Sequence, residues 1–496
     1  MTGKSKALLA RGRRMPIAAF AIACAIFVGG MTNAATLNWD TDTGTAGAQG
    51  GTGTWNTSAP NLWLNSSNVN QAWANSNDAV FGSPGGVVTT GANIIVNSLT
   101  VNAGATGYEF NETSTPSILT LRFGNGGMTL NESAIIRPVN GNAILSATQT
   151  QTWTIAPTKV LSFIAQGSAS TAHAVFQQSI VIDGGGRIDF TTPNADTISA
   201  GTSGAVSLEV KGGTTITSEK RTTDSFAMNI ATTGTFIMSS GTTDLSDGIL
   251  HTQTSTIRAN GGTIVAARID GSGSMLVNGG AFRPTVAGFD FLPNPGNNGA
   301  GQPVGLTSTM IGVNGMTFDT NGIGAGSVSI NQPLLEDASS TGGGLTKSGT
   351  GLLTLNKVNT YTGNTTVSSG GLALADNAGL KFVIGATGVN NKITGTGAVT
   401  LDGDFTFDLT NASTTLGSSW IVVDNATLSE TFSSTFSVLD FIDAGNDLWT
   451  KSITADTQYV FSEATGTLSV TPVPEPAAVG LIAVTSVLLL RRRRAA

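Results

Sequence analysis

The sequence predicts an all-β fold in which short strands are wound as stacked coils, a parallel β-helix of the solenoid kind. Three observations point there. The first is a series of very short alternations: Leu353 and Leu355 flank Thr354, Thr365 and Val367 flank Thr366, and Leu372 and Leu374 flank Ala373. Period-two runs this short, stopped by Gly, Asn, Ser and Thr, read as strands turning corners. The second is composition. Gly is 64 of 496 residues and only 11% of the chain is charged, against about 25% in ordinary globular proteins. The third is a turn-then-strand unit, G-x-G-x-x-T-L, found at 124–130, 349–355 and 395–401, with a degenerate relative at 271–277. Its separations are irregular. A series of sandwiches would use similar strands, but a recurring unit favours stacked coils.

Residues 1–35 read as a secretory signal peptide. A basic start (Lys4, Lys6, Arg11, Arg13, Arg14) precedes an apolar run from Ile17 to Val28 and the small residues before Ala34 and Ala35. Cleavage by signal peptidase after Ala34 or Ala35 is expected. Arg13-Arg14 hints at twin-arginine export, but the following Met15-Pro16 fits it badly, so ordinary secretion is preferred. The only cysteine, Cys24, lies in this leader, so the processed body has no disulfide and no thiol chemistry.

Residues 36–110 hold four of the seven tryptophans, Trp39, Trp55, Trp63 and Trp73. Such rings either close the open end of a solenoid core or stack sugar rings, with Trp55, Trp63 and Trp73 the candidates for glycan contact. Residues 111–283 continue as strand-length runs with Gly, Asn or Asp stops, a diverged β-helix. Residues 284–315 carry Pro284, Pro293, Pro295 and Pro303 and read as a long loop or a hinge. Residues 316–374 return to the coil pattern, and 375–470 form a C-terminal β region whose last segment is the second expected cap. At roughly 20–25 residues per coil, the body would make near 18 coils.

Between Thr36 and Pro472 lie 15 basic and 30 acidic residues. That acidity argues against nucleic acid as a partner. The tail, 473–496, has three parts: Pro474-Glu475-Pro476, a charge-free run from Ala477 to Leu490, and Arg491, Arg492, Arg493 and Arg494. As a helix the run is about 21 Å long, short of a roughly 30 Å hydrocarbon core. Arginine stems extend it by snorkelling and hold the end cytoplasmic, which puts the body outside.

Two resemblances sharpen this reading. Gly342–Leu374 carries GGLTK, GTGLLTL, NTYTG, TTV and GGLAL in order, and so resembles the autotransporter-associated β-strand repeat. That likeness implies a right-handed parallel β-helix on an exported surface or extracellular protein, and no activity. The tail resembles the PEP-CTERM sorting signal of Gram-negative bacteria. It implies recognition by an exosortase-type membrane protease, processing near Pro474, Glu475 and Pro476, and release or surface attachment of the body.

Candidate chemistry is sparse. His173 and His251 lack a second ligand at metal spacing, and no nucleotide or serine-hydrolase motif occurs. Two acidic groups, Asp183 and Asp189 around Arg187, and Asp402, Asp404 and Asp408, have the residue types for acid–base work or calcium, but Asp is also what turns use. Asp40 and Asp42 complete no calcium loop. The expectation is an exported, non-enzymatic structural or surface protein with no cofactor, associated with exopolysaccharide or the envelope. The alternatives are a carbohydrate-binding adhesin and a β-helix polysaccharide lyase or hydrolase.

Overall fold

The computed structural model describes residues 34–112, 121–137, 143–145, 150–164, 174–176, 178–191, 198–200, 206–219, 226–230, 233–296, 304–425, 428 and 431–474. These residues are all-β, with long parallel sheets. One 3₁₀ turn, Thr320–Ile323, follows the strand Met316–Asp319 and is capped by the Asp319 carboxylate on the Asn321 amide. Among the described residues no helix is long and apolar enough to cross a membrane. The leader before Ala34 and the tail from Glu475 on, with its expected transmembrane helix, lie outside the described residues.

Successive strands belong to different sheets, and a strand pairs with the one a full coil later. Face 1 is a 14-stranded sheet, face 2 a 15-stranded sheet, and face 3 a 6-stranded sheet followed by a 5-stranded one. Face 1 is prolonged by a 4-stranded sheet that starts at Val358–Asn359: Thr360 N–H donates to the Leu334 carbonyl across the join at 2.9 Å. This is the connectivity of a β-helix-like solenoid. Face 2 is parallel throughout, from Gly53–Trp55 to Val423–Asn425. Its 15 strands are fewer than the 18 coils expected, because most coils are longer than 25 residues: Leu161 stacks on Ile188, 27 positions on, and Ile188 on Ile216, 28 positions on. Thr263 stacks on Ala281, 18 positions on, while Ala281 stacks on Thr317, 36 positions on. Extra residues go into corners, where they do not disturb the ladder.

Alternation builds the core. On face 2 Leu161, Ile188 and Ile216 point inward at 0–1% exposure in register, while Ser162, Asp189 and Thr217 alternate with them. Fully burying each such aliphatic side chain stabilises the fold by about 1.5–3 kcal/mol. Phe163 and Phe190 stack in the same interior at 5.0 Å and 7°. Corners use left-handed glycines where a side chain has no room. Gly349 (φ 79°) and Gly395 (φ 118°) open the two best copies of the turn-then-strand unit. A Cβ would come within 2.4 Å of the Asn321 nitrogen at Gly349 and 2.2 Å of the Val367 carbonyl at Gly395. These two copies lead into strands of face 3 and 271–277 into a strand of face 1, whereas 124–130 lies wholly within the face 1 strand Leu121–Leu130. The unit therefore has no fixed station on the coil, and its spacing is irregular.

The stretch 284–315 departs from the loop or hinge expected of it. It supplies strands Asp290–Leu292 and Ser308–Ile311, and faces 1 and 2 run unbroken across it. Pro293 and Pro295 sit in a widened coil between Ser274 and Ser308 rather than between two bodies, Pro284 ends the face 2 strand Ala281–Pro284, and Pro303 lies outside the described residues.

Both ends are closed. At the start, Trp63–Leu64 folds back antiparallel on Thr36–Trp39 and pairs in turn with Asn70–Gln71. At the other end a 5-stranded antiparallel sheet, from Ser419–Ile421 to Ile442–Gly445, replaces the parallel ladder. Phe461, at 0% exposure, seals it from Phe405, Phe407 and Phe432 at ring distances of 5.8, 5.5 and 5.9 Å. A covered edge cannot template pairing with another chain.

Candidate functional site

The tryptophans do not form a binding face. Trp39, Trp55, Trp63 and Trp73 are 0–2% exposed. They pack on one another with Trp55–Trp63 at 4.9 Å, Trp63–Trp73 at 4.6 Å and Trp39–Trp63 at 5.1 Å. Phe81 lies beneath them, 5.5 Å from Trp55. The glycan-stacking role expected of Trp55, Trp63 and Trp73 is therefore corrected: a ring with no free face cannot receive a sugar. The physical reason is the open first coil, which exposes the solenoid interior unless large side chains plug it. Trp39 and Trp73 satisfy their indole N–H groups on the Gly51 carbonyl and the Asn75 amide oxygen. Those of Trp55 and Trp63 are buried without a partner among the described residues.

The expected acidic groups separate on folding. Asp183 ends a strand of face 1 and Asp189 sits on face 2, so a corner lies between them. Asp183 accepts from Gly184 N–H at 2.7 Å with Lys211 at 3.5 Å, while Asp189 pairs with Arg187 at 2.8 Å and accepts from the Thr217 hydroxyl. Asp404 accepts from the Ser437 hydroxyl one coil on. Asp408 takes the Thr410 hydroxyl at 2.7 Å and the Lys381 ammonium at 2.9 Å, which pull its carboxyl down to about 2. Asp402 contributes its backbone carbonyl to the Thr435 hydroxyl. Asp40 is buried and holds Gln49 N–H and the Asn70 amide, closing the N-terminal turn. The Thr45 hydroxyl and Gly44 N–H lower the Asp42 carboxyl. Among the described residues no cluster of His, Cys, Asp and Glu is arranged to hold a metal ion.

One cluster escaped the reading of the chain. On face 3, His251 Nδ1 lies 2.7 Å from Asp270 Oδ1, and Arg268 Nε donates to the other carboxylate oxygen at 2.9 Å. The Asp270 side chain is 5% exposed, and the Phe226 ring stacks on the imidazole at 4.0 Å. His251 and Asp270 are register partners 19 positions apart, so a firm coil period would have paired them. The arrangement orients the imidazole and neutralises a buried carboxylate. His173 lies outside the described residues.

The repeat at 342–374 proves to be more than one coil. Leu345 stacks on Thr365, 20 positions on, and Leu353 on Leu372. Its motif residues tie the coils together. Lys347 points inward at 0% exposure, and its ammonium donates to the carbonyls of Ser348 (2.8 Å), Gly349 (2.9 Å) and Ser369 (3.2 Å). Burial pushes this amine down to about 8, with the Asp319 charge opposing. Asn359, 1% exposed, accepts from Leu334 N–H in the coil before and donates to the Gly379 carbonyl in the coil after. Tyr361 is buried with its hydroxyl 2.6 Å from that of Thr365, and burial raises its pKa. GGLTK and NTYTG are thus fastening motifs for adjacent coils.

The ends of the body bear on the two processing signals expected from the sequence. Ala35 is exposed, its N–H donating to the Asn77 side chain, and the first strand begins at Thr36. The last strand, Thr467–Pro472, is followed by Val473, whose N–H donates to the Asp456 carbonyl, and by exposed Pro474. Glu475, Pro476 and Arg491 to Arg494 lie outside the described residues. No family model, no curated protein and no solved structure matches this chain.

Proposed function

We propose that this chain is an exported structural protein of the cell surface or extracellular matrix. Its working part is a right-handed parallel β-helix spanning most of residues 36–470. In this reading signal peptidase removes the leader after Ala34 or Ala35. The tail then holds the body at the inner membrane until an exosortase-type protease acts near Pro474, Glu475 and Pro476. The role is mechanical and non-enzymatic, a closed, acidic, surface-polar body in an exopolysaccharide-rich envelope.

The observation that carries the reading is the fit of the folded body between the two processing points. Its first strand starts at Thr36 and its last ends at Pro472, one residue after Ala35 and two before Pro474. Cleavage at either place would remove no strand. The inter-coil ties at Lys347 and Asn359 fit the same purpose, because a protein outside the cell without cysteine needs internal fastening. The buried tryptophans disfavour the adhesin alternative in its Trp-based form.

The test is fractionation of cells expressing the full chain and a chain lacking residues 473–496. The full chain should reach the surface or medium shortened near Pro474. The truncated chain should remain periplasmic. Identical distribution and size of the two would overturn the sorting part of the proposal.

A further inference from the structure

Beside Lys347 the outer surface carries a groove that no fastening role accounts for. It crosses three successive coils at the N-terminal ends of the face 2 strands that begin at Met316, Leu345 and Thr365, with a volume of about 210 Å³. Its floor is opened by Gly315 and Gly344, and its walls include Val313, Thr317, Thr346, Asn364 and Thr366. Thr317, Thr346 and Thr366 are register partners on adjacent strands, Met316–Asp319, Leu345–Ser348 and Thr365–Val367, and each alternates with a buried inward neighbour. Their hydroxyls repeat at one strand spacing, about 4.8 Å.

These hydroxyls are unused, as is that of Thr394, the next register partner of Thr366. Thr320, Thr350 and Thr365 bond to Ser348, Gly324 and Tyr361. Those of Thr317, Thr346 and Thr366 have no hydrogen-bond partner among the described residues. Asn364 spends its oxygen on Lys392 N–H and keeps its amide N–H₂ for the groove it lines. Val313, 56% exposed, adds an apolar ledge at one end. No lining residue is ionisable, so the groove selects neither cations nor anions.

We infer that this groove binds an extended, neutral glycan strand lying along the solenoid axis. Hydroxyls that both donate and accept, repeated along a shallow uncharged channel, match a polymer of hydroxyl-bearing rings. The inference rests on reading the chain as a protein of a glycan-rich envelope, and supplies the contact surface that the buried tryptophans cannot.

The experiment is calorimetric titration of the detergent-purified full chain with cellohexaose, xylohexaose and mannohexaose. The same titrations are run on a Thr346→Val/Thr366→Val double variant, which keeps shape and strand preference, and on Thr366→Arg, which fills the groove. Binding of at least one hexasaccharide is expected, weakened about tenfold or more in the double variant and lost in Thr366→Arg. Thermal unfolding identifies any variant that has lost its fold. No binding to any of the three, or binding unchanged in both folded variants, overturns the inference. Tail-dependent sorting without glycan binding would sink this inference alone. Glycan binding without tail-dependent sorting would sink only the delivery route.

Discussion

The ammonium of Lys347 reaches the carbonyl of Ser369, in the next coil, at 3.2 Å while the residue is wholly buried. A charge inside a solenoid is tolerated here because three carbonyls at a corner face inward and need donors. Lys347→Ala should destabilise the chain by about 2–4 kcal/mol through a cavity and unpaired carbonyls. Lys347→Met should lose less, since its stem fills the same space. Urea unfolding of both variants checks the order, and equal stability of Lys347→Ala and wild type would refute the fastening role.

The same lysine predicts a pH dependence. Its folded value lies near 8 and its ordinary value is 10.5. Between those limits the unfolded chain holds the proton and the folded chain releases it, so this site's contribution to stability rises with pH. Below about pH 8 the buried charge weighs fully against folding. The stability of wild type relative to Lys347→Met should therefore increase from pH 8 to 10.5, and a flat difference would show that the amine stays charged.

Asn359 joins three coils through one side chain. Asn359→Ala strands the Leu334 N–H and the Gly379 carbonyl, and should cost about 2–4 kcal/mol. Hydrogen exchange offers a local readout: the Leu334 amide should lose protection before neighbouring coils do. Unchanged protection there would mean that water replaces the side chain at little loss.

Trp63 lies among Trp39, Trp55, Trp73 and Phe81, and Trp63→Ala should destabilise the N-terminal closure by about 3–5 kcal/mol. In the wild-type chain tryptophan emission should be blue-shifted, shielded from iodide, and insensitive to hexasaccharides. Loss of glycan binding in a fully stable Trp63→Ala variant would restore the stacking role withdrawn above.

Asp408 has its carboxyl lowered from 3.8 to about 2, first by the Thr410 hydroxyl and then by Lys381. A depressed carboxylate stabilises the fold above its ordinary value and loses that contribution as pH falls from about 4 to 2. Thr410→Val should raise the Asp408 titration midpoint, read by carbon NMR, further than Lys381→Met does. Each should change stability at neutral pH by no more than about 1 kcal/mol.

Much of the architecture was legible in particular residues. The alternation at Leu353, Thr354 and Leu355 places them inward, outward and inward, and the tryptophan-rich start is an end closure. Lys347 was not legible as an interior residue. A lysine following Leu and Thr reads as a solvated position, and only the corner carbonyls of its own and the following coil make its burial tolerable. Asp183 and Asp189 illustrate the opposite error. Six positions apart in sequence they look like one site, yet the corner between them sends one to face 1 and the other to face 2. His251 and Asp270 meet because coils stack, and a variable coil length hides that meeting from any fixed spacing.

What the sequence determined by itself was local: strands rather than helices, corners at glycine, an acidic body without cysteine, and candidate processing signals at both ends. Each follows from residue type or from neighbours within a few positions. The tertiary structure alone decided which strand lies on which, and hence which side chains are buried, paired or free. Contacts between coils span from 18 to 42 positions, and inserted corner residues shift that distance without changing the alternation that drives each strand inward. The groove at Thr317, Thr346 and Thr366 belongs to this second class, because three threonines spread over fifty residues become neighbours only when the ladder closes.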